Sequence, residues 1–307
     1  MAVVRGMFTF VFIVELILGH VGNGFIALVN CLDWVKRRKI SSVDYILTAL
    51  AISRIGLLWS VVLNLFIFVL YPARGTTENK QGITFFFWIV TNHFSIWLAT
   101  ILSLYYFLKV ANFPNSIFHY LKERVKSILL GTLFLSILSL CLNFLLINAT
   151  LDESKRNSSY EYISRNFTDF LLTFTVYLSM PYIVSLVTFL LLIFSLWKHH
   201  QTMYHHGHGD RDASTIAHVR ALQMVVAFLL LYSIFILTLV VQFWGSDSLK
   251  TYPGILFCPA VAMVFPSGHS WVLVLGNSKL RRASQSVLQQ LWCRLRLTPK
   301  TLESPRP

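Results

Sequence analysis

Two charged side chains stand inside stretches of sequence that are otherwise apolar, and each implies buried chemistry. Arg54 lies well inside the apolar run 44–70. If this run crosses a bilayer, an arginine at that depth costs ~2.5–3.5 kcal/mol on insertion scales unless protein groups or water solvate it. We therefore predict that Arg54 faces the interior of a helix bundle, in a polar cluster with Asn23 and with Ser270 or Asn277. The alternative is a side chain that extends to the membrane interface.

Glu15 is the second charge within an apolar run, and it shares a helical face with Asn23. The two residues are eight positions apart, so they lie on roughly the same side of a helix. Both side chains would be costly against lipid, and we predict that both point inward. Glu15 lies nearer the outer end of the bundle, so it is not predicted to pair with Arg54.

The stretch 82–114 predicts a helix that joins the two ends of the molecule. Trp88, Asn92 and Ser95 recur at helical spacing, so the polarity of this helix collects on one face. An indole face and an amide therefore lie toward one end, whereas the other end carries Lys109. We therefore predict that this helix transmits a signal from one end of the molecule to the other.

Seven apolar runs must position these residues. The 307-residue chain is 55% apolar and only 13% charged, which is too apolar for a soluble domain. Runs long enough to cross ~30 Å of hydrocarbon occupy residues 7–32, 44–70, 83–110, 128–148, 170–197, 219–244 and 253–276. The sequence thus predicts an all-α membrane protein in a lipid bilayer. A seven-helix transmembrane domain covers residues 1–276, and a tail with a short basic amphipathic helix covers 277–307.

The basic residues between the runs predict the orientation of the bundle. The chain carries 26 Lys and Arg residues, which lie in gaps rather than on a folded basic face, so no nucleic-acid partner is predicted. Apart from Arg54, eighteen lie in the gaps after runs one, three and five and in the tail, and seven lie on the opposite side. The positive-inside rule then puts the amino terminus outside and the tail in the cytoplasm.

Three glycosylation sequons agree with this orientation. Asn148, Asn157 and Asn166 all fall in the gap after the fourth run, which is predicted to be extracellular. Asn148 lies so close to the run that the membrane shields it, which makes Asn157 and Asn166 the better sites. No cysteine falls in a predicted extracellular loop, so no structural disulfide is expected. Cys293, in the basic tail, is a candidate for palmitoylation.

Two motifs suggest other chemistry. Pro266-Ser267-Gly268-His269 matches the central motif of membrane lipid phosphatases, but the second histidine and acid that would orient a nucleophile are lacking, so no enzyme is predicted. Five histidines within 199–208 suggest a metal site, yet no cysteine or carboxylate lies at a fixed ligand spacing. Neither a metal nor another cofactor is therefore predicted.

A transporter is a further alternative. Carriers usually show internal repeats and several intramembrane ionisable residues. The seven runs show no visible duplication, and Glu15 and Arg54 are the main charged residues within them.

Several segments, in order from the first run to the tail, resemble the signatures of type 2 (bitter) taste receptors. These are Asn23-Gly24-Phe25-Ile26, Leu50-Ala51-Ile52-Ser53-Arg54, Trp97-Leu98-Ala99-Thr100, Tyr106-Phe107-Leu108-Lys109-Val110-Ala111-Asn112-Phe113, Ser195-Leu196-Trp197-Lys198-His199, His269-Ser270 and Leu275-Gly276-Asn277-Ser278-Lys279-Leu280. The resemblance implies a G protein-coupled receptor of the plasma membrane. It also implies bitter small molecules as ligands and a gustducin-type heterotrimeric G protein as partner.

The resemblance and the positions of the runs suggest roles for individual residues. The ligand site is expected in the outer half of the bundle, at Trp88, Asn92, His93, Phe235, Leu239 and Pro259. Pro259 stands where some relatives tuned to alkaloids have an acid, so neutral ligands are expected. The third run lacks the acid-arginine-tyrosine trio of rhodopsin-like receptors, so the activation switch is expected at Asn23, Arg54, Tyr106, His269 and Ser270. The residues expected to face the G protein are Lys109, Lys122, Arg124, Lys198 and His218.

Overall fold

The computed structural model describes residues 2–36, 41–70, 78–111, 113, 116–156, 160–205, 213–244 and 252–297. Over these residues the chain forms nine α-helices and no strand. The helices are α1 (Ala2–Val35), α2 (Ser42–Leu70), α3 (Glu78–Val110), α4 (Ser116–Glu123), α5 (Val125–Arg156), α6 (Tyr160–His205), α7 (Ala213–Trp244), α8 (Tyr252–Gly276) and α9 (Ser278–Leu297).

Seven of the described helices are long and apolar enough to cross a membrane, which confirms the predicted fold class. Their apolar spans cover Gly6–Val35, Ser42–Ile67, Ile83–Val110, Val125–Ala149, Tyr177–Lys198, Thr215–Val241 and Phe257–Gly276. The short helix α4 and the last helix α9 lie outside this set. We call the end of the bundle at which α9 follows α8 the tail end; which side of the membrane it faces remains a prediction.

Helix α3 lies at the centre of the bundle. In α3, 67% of the residues in the most apolar stretch of the span are buried, compared with 22% in α1 and in α5. The helix packs against α2, α5, α6 and α7, while α1 packs against both α2 and α8 and thereby joins the two ends of the chain. A residue of α3 can therefore reach most of the other spans.

The pairing of α1 with α8 depends on two glycines of α1. A Cβ atom added to Gly19 would lie 2.6 Å from the Oγ of Ser267, and Gly22 is similarly close to Ser270. The hydroxyl of Ser267 also donates a 2.9 Å hydrogen bond to the carbonyl of Glu15. Small residues allow this close approach of backbones, which is typical of helix packing in membranes.

Proline residues lie inside two spans, and both helices continue through them. Pro181 lies within α6, and Pro259 and Pro266 lie within α8. The carbonyl of Pro181 accepts hydrogen bonds from Ser185 at 2.9 Å and from Thr100 of α3 at 3.3 Å. Neighbouring side chains thus bind backbone near the proline, as expected in hydrocarbon, where water cannot do so.

The two helices at the tail end are amphipathic. In α4, Phe118 packs its ring 5.6 Å from Phe107 and 4.9 Å from Phe113, whereas Tyr120 is 53% exposed. Helix α4 thus packs one face against the bundle and exposes the other. Helix α9 begins at a cap in which the Oδ1 of Asn277 accepts hydrogen bonds from the backbone of Lys279 and Leu280.

Candidate functional site

Trp88 and Asn92 lie one turn apart on α3, away from the tail end. Trp88 is half-buried, and its ring stacks on that of Phe85 with centroids 6.0 Å apart. Asn92 is only 1% exposed, and its Oδ1 has no hydrogen-bond partner in the described part of the chain. Because buried polar atoms are nearly always hydrogen-bonded, this acceptor is suited to a donor from a bound molecule.

His93, the next residue, connects α3 to α6. Its Nδ1 shares a hydrogen bond with the hydroxyl of Tyr177, and the two rings stack with centroids 5.5 Å apart. Tyr177 is buried and stands at the start of the apolar span of α6. The structure thus adds an interhelical contact to a residue that the sequence suggested only for ligand binding.

Four buried rings form a column between α7 and α8. We define the aromatic column as Phe228, Tyr232, Phe235 and Phe265, none more than 3% exposed. The ring of Phe265 lies 5.4 Å from Phe235 and 5.6 Å from Tyr232. Phe228, Tyr232 and Phe235, which recur at helical spacing on α7, are therefore part of the core.

The other residues predicted for the ligand site lie on the same two helices. Leu239, one turn beyond Phe235 on α7, is buried, and Pro259 of α8 is half-buried. Trp88, Phe235 and Leu239 all pack against one large apolar cluster that runs through the bundle. Three of the six residues predicted for the ligand site thus belong to or pack against the same core.

Tyr232 ties the aromatic column to α6. Its hydroxyl donates a 2.6 Å hydrogen bond to the carbonyl of Leu178, which follows Tyr177 in the chain. Two adjacent residues of α6 therefore contact α3 and α7 respectively. Any movement of this part of α6 changes both contacts.

Arg54 faces the interior of the bundle, as predicted, and is 0% exposed. Its Nη2 lies 2.5 Å from the Nδ1 of His269 in α8, and its guanidinium carbon lies 5.4 Å from the centre of the Phe265 ring. The ring of His269 in turn lies 5.3 Å from that of Phe228. The aromatic column thus ends at the buried arginine.

None of the residues that were predicted to cluster with Arg54 is hydrogen-bonded to it in the described structure. Asn23 donates to the carbonyls of Gly19 and Pro266, at 2.8 and 3.3 Å. Ser270 donates to the carbonyl of Ser267 within its own helix, and Asn277 caps α9. These short side chains form hydrogen bonds with nearby backbone groups. The longer imidazole of His269 is therefore the group that reaches the arginine.

The phosphatase-like motif has a structural use. The hydroxyl of Ser267 is hydrogen-bonded to α1 and the imidazole of His269 to α2, so both side chains join helices.

Tyr106, the remaining residue predicted for the switch, is partly buried, and its ring packs against that of Tyr105 with centroids 5.9 Å apart. Its hydroxyl has no hydrogen-bond partner in the described ranges.

The tail end exposes most of the residues that were predicted to meet a G protein. Lys109, Lys122 and Arg124 are exposed, and Lys198 is half-buried. The prediction that His218 faces the G protein was wrong. This residue is 1% exposed, and its Nε2 lies 3.4 Å from the Oγ of Ser195. It joins the ends of α6 and α7 and does not face outward, since the imidazole lies on the packed side of α7.

Lys279 forms a polar cluster at the tail end that sequence reasoning missed. Its Nζ lies 2.9 Å from Asp33, 3.2 Å from Asp44 and 2.9 Å from the Oδ1 of Asn30. The cluster ties the start of α9 to α1 and α2. The sequence did contain a signal for this cluster. One acid follows the first run, another begins the second, and a lysine of opposite charge follows the seventh.

Some predicted residues fall at or beyond the edge of the described structure. Asn148 is exposed near the end of the fourth span. Asn157 lies outside the described residues, as does the side chain of Asn166 within α6. The histidine-rich segment 199–208 is helical as far as His205, within α6, but its histidine side chains lie outside the described structure.

Comparison with known proteins identifies the family. Residues 1–292 match the family model described as "Taste receptor protein (TAS2R)". Taste receptor type 2 member 14 of Macaca mulatta is 51% identical over 302 residues, covering 96% of this chain and 94% of the relative. Taste receptor type 2 member 125 of Rattus norvegicus is 50% identical over 303 residues, covering 96% and 97%. The chain therefore belongs to the type 2 taste receptors, the bitter taste receptor family of seven-helix G protein-coupled receptors.

Proposed function

We propose that this receptor binds bitter small molecules in the half of the bundle away from α9 and activates a gustducin-type G protein at the tail end. In this proposal it acts at the plasma membrane with its amino terminus outside. The observation that carries the ligand site is the Oδ1 of Asn92, a buried acceptor without a partner in the described structure, one turn from the half-buried indole of Trp88.

The chemistry of these two residues defines the ligand class. Trp88 offers a broad π-face to flat apolar compounds, and Asn92 accepts a hydrogen bond from a ligand hydroxyl or amide. None of the residues proposed for the site is an acid. Neutral, weakly polar compounds are therefore the proposed agonists, with activation at micromolar or weaker concentrations.

The exposed cations at the tail end support the proposed G protein site. Lys122 and Arg124 lie at the end of α4, and the Nζ of Lys122 donates a 3.3 Å hydrogen bond to the carbonyl of Ala111, two residues after Lys109. The guanidinium of Arg124 lies 4.7 Å from the ring of Tyr120, which holds that charge beside α4. A basic, partly aromatic surface fits an acidic and apolar segment of a partner.

The deciding experiment is a concentration-response series in cells that express a gustducin-type G protein. Trp88→Ala and Asn92→Ala should each raise the half-maximal agonist concentration tenfold or more at unchanged surface expression. Trp59→Ala is the matched control, because Trp59 is exposed on the outer surface of α2. Unchanged responses in both site variants, or equal loss in the control, would reject the proposed ligand site.

A further inference from the structure

Arg54 is a buried cation whose hydrogen-bond donors are only partly used. Its Nη2 contacts His269, but its Nε and Nη1 have no hydrogen-bond partner in the described part of the chain. These two nitrogens carry three of the five N–H groups of a guanidinium, which stays charged at physiological pH. Because the residue is 0% exposed, bulk water does not reach it.

No carboxylate of the described residues forms an ion pair with this charge. Ion pairs of the described residues include those of Lys279 at the tail end and of His119 in α4, and none of these reaches Arg54. Arg54 instead contacts the His269 imidazole and the face of Phe265, whose centre lies 5.4 Å from the guanidinium carbon. A buried charge without an opposite charge is among the most costly arrangements in a protein.

An unpaired acceptor lies at the same depth. A Cβ on Gly19 of α1 would lie 2.8 Å from Leu58 of α2, so these two residues are level. Asn23 is one turn further along α1 and Arg54 one turn back along the antiparallel α2, which makes them level too. Asn23 is 0% exposed, and its Oδ1 has no partner in the described ranges because its amide group donates to two backbone carbonyls.

We propose that Arg54 binds a small inorganic anion, with chloride as the physiological ion, at the junction of α1, α2 and α8. The free N–H groups of Arg54 donate to the anion. A water molecule joins the anion to Asn23, since water can donate one hydrogen to each. The ion neutralises the buried guanidinium and thereby holds α2 against α8. This site is distinct from the proposed site for bitter compounds at Trp88 and Asn92.

The test uses the purified full-length receptor and measures thermal unfolding in sodium chloride and in sodium gluconate of equal concentration. Chloride should raise the unfolding midpoint by ~2–4 °C in a saturable way, the size expected for a ligand at about tenfold its Kd. Bromide should substitute for chloride. Equal midpoints in chloride and gluconate would overturn the proposal.

Variants assign the effect to Arg54. Arg54→Gln keeps the hydrogen-bonding character without the charge and should remove the difference between the two salts. Arg220→Gln is the matched control, because Arg220 is exposed on α7, and it should retain the full difference. Retention of the chloride effect in Arg54→Gln would place the ion elsewhere and refute the assignment.

A direct measurement covers the case in which Arg54→Gln does not accumulate. Crystals of the wild-type receptor grown in bromide should show an anomalous peak within ~3.5 Å of the guanidinium of Arg54, slightly longer than an N–H···O hydrogen bond because bromide is larger than oxygen. A bromide peak elsewhere only, or density for water alone beside Arg54, would overturn the proposal.

Discussion

The hydroxyl of Tyr232 lies 2.6 Å from the carbonyl oxygen of Leu178, so α7 is tied to α6 three residues before Pro181. Beside it, Tyr177 is hydrogen-bonded to His93 of α3. A short stretch of α6 thus holds the helix of the proposed ligand site on one side and the aromatic column on the other. A ligand that displaces His93 would also shift the position of Tyr232.

Tyr232→Phe should weaken the union of α6 and α7. The change removes a buried hydrogen bond worth ~0.5–1.5 kcal/mol but keeps the ring contacts of the column. We expect the unfolding midpoint of the purified receptor to fall by ~2–4 °C per kcal/mol lost. Tyr120→Phe, at an exposed position of α4, is the control and should leave the midpoint unchanged. A fall of equal size in the control would show that the loss is not specific.

Arg54→Ala and His269→Ala should change signalling in the same direction. Each leaves a buried polar partner behind, so each should abolish the response or raise basal activity while the protein still reaches the cell surface. Because the two side chains contact each other, the double variant should show a coupling of ~0.5–3 kcal/mol. The double-mutant cycle is calculated from the basal activities of the four receptors, each corrected for surface expression. Additive effects would mean that the Arg54 to His269 contact carries no signal.

Pro259→Glu should give the receptor a preference for protonated amines. A charge-assisted contact contributes ~1.5–3 kcal/mol, which corresponds to a ten- to a hundredfold gain in affinity. Pro259→Gln is the matched control, because it adds similar bulk without charge. Concentration-response curves for a neutral agonist and an amine agonist would separate the two variants. A wild-type receptor that already prefers quaternary or protonated amines would contradict the proposed neutral selectivity.

The segment after the fourth span should be glycosylated outside the cell. Two sequence features predict that this segment lies outside: the uneven division of basic residues among the gaps, and the clustered sequons. Glycosidase treatment of surface-labelled receptor should therefore reduce its mass, and Asn157→Gln with Asn166→Gln should remove that shift. Asn148→Gln is the control and should leave the mass shift unchanged, because Asn148 lies at the end of its span, where the membrane shields it. No sugar at any site, together with a tail accessible from outside, would reverse the topology.

The sequence predicted the fold because hydropathy determines membrane crossing almost alone. Each apolar run became a span, and the polar face of α3 and the inward position of Arg54 followed from the cost of polarity in lipid. These predictions depend on one helix and its solvent. They need no knowledge of which helices are neighbours.

The contacts between helices could not be predicted in the same way. The choice of His269 over Asn23 as partner of Arg54 depends on the rotation and depth of three separate helices, which apolar periodicity does not fix. His218 was misplaced for the same reason, because its position near a loop suggested exposure while the rotation of α7 turned it toward Ser195. Tyr177 gave no signal beyond one aromatic in apolar surroundings, and the helical spacing of Tyr232 with Phe228 and Phe235 indicated a shared face but not the bond to Leu178.

The separation of Arg54 and His269 along the chain has a consequence for biosynthesis. Their contact spans 215 residues. At a synthesis rate of ~5–20 residues per second, the second helix waits tens of seconds in the membrane before the seventh is made. During that interval its charge has no final partner, so nascent receptors depend on the insertion machinery or on lipid headgroups for solvation. Chains that terminate before residue 269 keep this exposed charge permanently and are expected to be retained and degraded in the endoplasmic reticulum.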